Sequence, residues 1–359
     1  MIASLMAISV RARWAVVFII AIISAFGVWQ LTRLPIDAVP DITNKQVQIN
    51  TVDPGLSPIE IEKRVTFPVE TAMAGIPGLE STRSVSRNGF SQVTVVFKEN
   101  VDLYFARQQV SERISQARDS LPEGVQPQIG PVTTGLGEVF MYTVDYANPD
   151  GKGAKISNGQ PGWQSDGSFL TPEGERLTEE VSRAAYLRTV QDWIISPQLR
   201  TVQGVAGVDS IGGFEKQYLV EPDPVKLSAY GVSFSELAKA LEAATLSVGA
   251  NFLDRAGEAY LVRADARIRS VNEIEDAVIA TRGGVPVRVR DVAAVRLGGE
   301  LRTGGASMNG HEVVVGTTLM LIGENSRTVA KAVGEKLETI EKSLPAGVKV
   351  TPTLDRSKL

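Results

Sequence analysis

The stretch Val110-Ser111-Glu112-Arg113-Ile114-Ser115-Gln116-Ala117-Arg118-Asp119-Ser120-Leu121-Pro122-Glu123-Gly124-Val125 has a counterpart 223 residues later, Val333-Gly334-Glu335-Lys336-Leu337-Glu338-Thr339-Ile340-Glu341-Lys342-Ser343-Leu344-Pro345-Ala346-Gly347-Val348. Val110, Ile114, Ala117 and Leu121 match Val333, Leu337, Ile340 and Leu344. Steps of three and four put each set on one buried helix face. The repeat persists through the helix stop, Ser120 to Val125 against Ser343 to Val348. A fixed offset of this kind predicts two copies of one structural unit.

Working outward, the first copy alternates as a strand from Gln46 to Thr51, followed by Ser57-Pro58-Ile59-Glu60, a capping box with proline at the first helical position. The runs Leu79 to Val85 and Gln92 to Phe97 flank Arg87-Asn88-Gly89, which predicts a hairpin. A helix from Asp102 follows, with Leu103 and Ala106 extending its apolar face. The order is β-α-β-β-α-β, the split βαβ arrangement. In the second copy, Ala206-Gly207-Val208 resembles Pro77-Gly78-Leu79 at an offset of only 129, so about 94 residues are added before its last helix. An inserted subdomain accounts for them. Within it, Phe234 to Thr245 reads as a helix, and Val248 to Leu253 with Ala259 to Arg263 as a hairpin turning at Arg255-Ala256-Gly257, whose apolar edges suit docking. Tyr146 to Thr178, rich in Gly, Pro, Ser and Asp, reads as a long surface loop or flap, with disorder an equal alternative.

One segment, Trp14 to Leu31, is apolar apart from Ser24 and Gln30 and lies between Arg13 and Arg33. At about 1.5 Å per residue it covers roughly 27 Å, the thickness of a hydrocarbon core. It reads as an uncleaved spanning helix, with a signal peptide as the alternative. Arg11 and Arg13 predict a cytoplasmic N-terminus, so residues after about 35 lie on the outer side, the periplasm of a Gram-negative cell. The fold class expected is α+β.

Composition narrows the chemistry. The net charge of −4 offers no basic face for a phosphate backbone, so nucleic acid is not an expected partner. The chain has no cysteine and a single histidine, His311, which excludes thiolate and imidazole clusters. No Walker-type glycine loop is present, and no carboxylate pair shows a local acid–base signature, so neither an ATP-driven mechanism nor an enzyme is expected. Copper(I) and silver(I) prefer sulfur ligands, yet the methionines at 1, 6, 73, 141, 308 and 320 form no paired motif. Zinc, cobalt, nickel and cadmium suit the available carboxylates better.

Leu34-Pro35-Ile36-Asp37-Ala38-Val39-Pro40-Asp41-Ile42-Thr43-Asn44, directly after one spanning helix, resembles the heavy-metal branch of the resistance-nodulation-division (RND) superfamily, particularly its zinc, cobalt and cadmium exporters. Further matches are Val65-Thr66-Phe67-Pro68-Val69-Glu70, Gly135-Leu136-Gly137-Glu138, Val190-Gln191-Asp192-Trp193, Arg290-Asp291-Val292-Ala293 and Gly323-Glu324-Asn325-Ser326. The resemblance covers all 359 residues but only about a third of a typical member, which implies a fragment or truncated product. It implies a homotrimer embedded in inner-membrane lipid that works with a periplasmic adaptor and an outer-membrane channel. Metal is exchanged there for protons through carboxylates on a central helix, which this chain lacks. No cofactor is implied; the divalent ion is the substrate. The implied parts are an N-terminus and transmembrane helix over 1–36 and a first ferredoxin-like porter subdomain over 37–133. The second porter subdomain covers 134–213 with 271–355, a docking subdomain is inserted at 214–270, and 356–359 begin the segment toward the missing membrane domain.

Glu138 is the first candidate metal ligand, because it opens a strand at the junction of the two repeats and sits in a family-like motif; the alternative is a structural ion pair. Asp192 beside Trp193 is the second, against a helix-face salt bridge. Asp145, Asp166, Glu173 and Glu175 would collect cations at the flap, or be simply solvated, and His311 reads as a turn residue before a strand. The competing functions are a single-pass anchored periplasmic scaffold protein and a drug-exporting RND pump.

Overall fold

The computed structural model describes residues 10–31, 43–133, 137–156, 158–245, 248–255, 258–264, 268, 270–300 and 304–358. The motif from Leu34 to Ile42, the Gly135-Leu136 half of the Glu138 motif and the hairpin turn at Ala256-Gly257 lie outside these residues.

In the first unit, β1 (Gln46–Val52) leads into a helix over 58–73 whose start is closed as expected: the Glu60 amide donates to Ser57 Oγ, and the Ser57 amide donates to the Glu60 carboxylate. β2 (Leu79–Arg87) and β3 (Phe90–Phe97) pair antiparallel across a two-residue turn. Gly89 there has φ +68, and a Cβ would lie 2.9 Å from Pro54 Cα, so glycine is needed. Asp102 caps the helix Leu103–Ala117 by accepting from the Phe105 amide, and that helix buries Ala106, Val110, Ile114 and Ala117. With β4 (Gln128–Ile129) the sheet order is β2-β3-β1-β4. The core is Val47, Ile49, Val69, Met73, Val93, Val95 and Phe97 under that helix face.

The second unit repeats this order. β5 (Glu138–Tyr146), β9 (Val205–Ile211), β17 (His311–Met320) and β18 (Val348–Asp355) form an antiparallel sheet in which β9 and β5 flank β17 and β18 flanks β5. Its two helices are 180–199 and Ser326–Glu341; the latter buries Val333, Leu337 and Ile340. Gly316 is required by a close approach, because a Cβ there would overlap the Tyr142 ring.

Both units carry a feature with no precedent in the residue pattern read above. The first helix of each is interrupted by one π-turn, Glu62–Thr66 and Gln191–Ile195, at the repeat offset of 129. Pro68 and Pro197 follow at the same offset and explain the turns. A proline inside a helix loses its own hydrogen bond and collides with the carbonyl four residues back. Bonding instead five residues back, from the Phe67 amide to the Glu62 carbonyl and from the Ser196 amide to Gln191, opens that turn.

The described residues of the flap expected over 146–178 include regular structure. Gly162–Trp163 (β6), Phe169–Leu170 (β7) and Arg176–Leu177 (β8) form a small antiparallel sheet. Its Trp163, Phe169 and Leu177 are buried in the second unit's core, with Phe169 4.8 Å from the Tyr146 ring. Those two aromatics supply the apolar area that its Gly-rich composition conceals.

The insertion leaves the sheet after β9. β10 (Lys216–Pro222) pairs with β15 (Ala293–Gly299), β13 (Val278–Arg282) with β14 (Val285–Arg288), and β11 (Val248–Arg255) with β12 (Glu258–Ala264) as the expected hairpin. Its core joins Leu227, Val232 and Leu237 to Ile274, Val287, Val289 and Val292. Packing therefore continues past residue 270: residues 271–299 share the core and the ladder of 216–245, not those of the second unit.

The N-terminal helix Arg13–Leu31 stands apart. Its window from Arg13 to Gln30 has a mean hydropathy of 1.7 and no part buried by protein, so it is long and apolar enough to cross a membrane.

Candidate functional site

Glu138 is the first residue of β5, beside the end of β17, where the Met320 amide donates to the Gly137 carbonyl at 2.7 Å. Its side chain is exposed, and among the described residues it has neither a hydrogen bond nor an ion pair.

Asp192 lies in the π-turn and is engaged on both oxygens. Arg188 Nε donates to Oδ2 at 2.5 Å and Ser210 Oγ to Oδ1 at 2.6 Å. Arg188 also donates to the Gly212 carbonyl at 3.2 Å, and Gln191 Nε2 to Ser210 Oγ at 3.2 Å. This network ties the helix over 180–199 to β9 and to the start of the insertion. Trp193, next to Asp192 in the same π-turn, is 79% exposed.

The four flap acids do not gather. Asp166 pairs with Arg176 and accepts from Ser168, contacts that hold its pKa below the usual carboxylate range, the Ser168 hydroxyl contributing most. Glu175 pairs with Lys216 of β10 at 2.7 Å. Glu173 lines, with Glu175, Glu179, Tyr186 and Leu297, a cleft of about 260 Å³ between flap, helix and insertion. Asp145 is not on the flap at all: it is buried in β5, 2% exposed, and its Oδ2 lies 2.7 Å from His311 Nε2. That contact spans 166 positions in the chain, so no local pattern announced it. Among the described residues no three His, Asp or Glu side chains converge as a metal-holding group.

A family profile described as the AcrB/AcrD/AcrF family matches residues 5–359. Among similar proteins, the nickel-cobalt-cadmium resistance protein NccA of Alcaligenes xylosoxydans xylosoxydans is 67% identical over 359 residues, all of this chain and 33% of its own length. The nickel and cobalt resistance protein CnrA of Cupriavidus metallidurans is 66% identical over the same span, and the cobalt-zinc-cadmium resistance protein CzcA of that organism 47% over 351 residues, 98% of this chain and 31% of its own. A solved structure described as a heavy metal efflux pump superposes with a TM-score of 0.78 at 30% identity, covering 96% of this chain and 32% of that one. The chain thus spans about a third of the length of the curated relatives it matches. On this profile match and on identity running from end to end, the chain belongs to the AcrB/AcrD/AcrF family and resembles that family's heavy-metal resistance members throughout.

Proposed function

We propose that this chain is the N-terminal part of a proton-driven RND pump that exports a divalent cation, with nickel and cobalt first in order and zinc and cadmium next. The observation that carries the reading is the 67% identity, over every residue of the chain, to a nickel-cobalt-cadmium resistance protein. In this reading Arg13–Leu31 is the spanning helix in the inner membrane, with the following residues in the periplasm. Residues 37–133 are the first ferredoxin-like porter subdomain. Residues 134–213 with about 300–355 are the second, and the docking subdomain runs over 214–299, a span supported by the shared core of Leu227, Ile274 and Val289. The repeated strand order of the two sheets supports the porter assignment. Trimer formation and coupling to an adaptor and an outer-membrane channel belong to the whole pump.

Glu138 is proposed as an ion ligand of the porter region. An exposed carboxylate at the junction of the two repeats, without a partner among the described residues, is available to a cation, whereas both oxygens of Asp192 are engaged by Arg188 and Ser210. Calorimetry with nickel, cobalt, zinc, cadmium and silver on the wild-type chain and Glu138→Gln tests this. Saturable divalent binding weakened by the substitution is expected; silver-selective binding would overturn the substrate class, and divalent binding indifferent to the substitution would remove Glu138 from the site.

A further inference from the structure

The geometry points to a second cation-binding position, on the sheet of the second unit, in which His311 Nδ1 and the Met308 thioether hold a borderline divalent transition-metal ion. Four side chains are brought to one sheet face. Thr143 and Asp145 are two apart on β5 and so point the same way. His311 Nε2 reaches Asp145 Oδ2 at 2.7 Å, and Met308 Sδ lies 3.8 Å from Thr143 Oγ1. Met308 and His311 are also directly paired across the two-residue Asn309-Gly310 turn between Ala306–Met308 (β16) and β17. Imidazole and thioether are therefore neighbours on that face.

The tautomer follows from the partners. Asp145 Oδ1 already accepts the Tyr146 amide at 2.7 Å, and its Oδ2 faces His311. An ionised carboxylate can only accept, so in the neutral ring Nε2 carries the proton and Nδ1 carries the lone pair. Nδ1 has no hydrogen bond among the described residues, and the side chain remains 25% exposed. A buried carboxylate that accepts from one ring nitrogen and leaves the other free is the support found behind metal-bound histidines, where it fixes the ring and raises its basicity. Imidazole suits nickel, copper and zinc alike, the thioether adds one softer donor, and water completes the coordination.

The choice of ion rests on the efflux reading; the geometry does not. His311 is the only histidine in the chain, so its acylation by diethyl pyrocarbonate is read without interference. The test uses the full chain in detergent, free of any affinity tag, with nickel chloride as probe. Nickel is expected to slow acylation saturably, Asp145→Asn to weaken the apparent nickel affinity roughly 10–100-fold, and Met308→Leu, which leaves the buried pair intact, to weaken it less. In selectively labelled protein, nickel should broaden the Nδ1 resonance before Nε2. An acylation rate unchanged by nickel, or protection unaffected by Met308→Leu with Nε2 broadened first, overturns the proposal. Such a failure beside normal divalent binding at Glu138 would leave the efflux reading standing.

Discussion

Arg188 Nε stands 2.5 Å from Asp192 Oδ2, across one turn of a helix that the chain distorts into a π-turn at that very carboxylate. Both side chains are less than a third exposed, and the other Asp192 oxygen accepts from Ser210. Asp192 therefore fastens helix to strand. Replacing it with alanine is expected to lower stability by about 1.5–3 kcal/mol, the range for hydrogen bonds to charged groups, without changing divalent-ion affinity. Urea unfolding followed by circular dichroism, alongside calorimetry, separates the two; a loss of metal binding at unchanged stability would restore Asp192 as a ligand.

Phe169 anchors the flap. It is fully buried, touches the Tyr146, Trp163 and Tyr186 rings, and belongs to the core of the second unit. Truncating a buried phenylalanine to alanine costs about 3–5 kcal/mol, and here the loss falls on a small three-stranded sheet otherwise anchored by Trp163 and Leu177. Hydrogen exchange in Phe169→Ala should accelerate over 158–178 while β5 and β17 keep their protection. Uniform acceleration would show that the flap is not a separate cooperative piece.

Glu300 faces Glu215 where the insertion joins the second unit, its amide donating to the Glu215 carbonyl at 3.0 Å. Burial first, and the Glu215 carboxylate second, raise the Glu300 pKa, with Arg188 opposing them. A carboxyl that holds its proton more tightly in the folded state favours folding below its unfolded pKa of about 4.3. That contribution is lost as pH rises through the higher folded value. Glu300→Gln is thus expected to match wild type in acid and to exceed it at neutral pH. Urea midpoints measured across that interval test the sign, and a gap that closes on raising the pH would reverse it.

Local signals carried much of the fold. The Ser57-Glu60 capping box, the Asn88-Gly89 turn, the Asp102 cap and the helix faces around Val110 and Val333 each depend on residues within a few positions of one another, and each is found in place. The offset of 129 between Pro68 and Pro197 was also there to be read; the π-turns went unforeseen because the proline's effect depends on which carbonyl it displaces. The end of the insertion and the burial of Asp145 against His311 depend on contacts between distant segments, which periodicity does not encode. Glu138 stood out through its motif and its place at the start of a strand between the two repeats, and the structure adds that its carboxylate is exposed and unpaired among the described residues.

The central claim is that these 359 residues are the corresponding third of a divalent-metal exporter, and a chimera tests it most directly. This chain replaces the matching 33% of the nickel-cobalt-cadmium resistance protein, and nickel and cobalt tolerance of a metal-sensitive bacterium is measured. At 67% identity the account predicts tolerance close to that given by the unmodified relative, falling when the chimera carries Glu138→Gln. A chimera present in the membrane at the normal level that confers no more tolerance than an empty vector would contradict it.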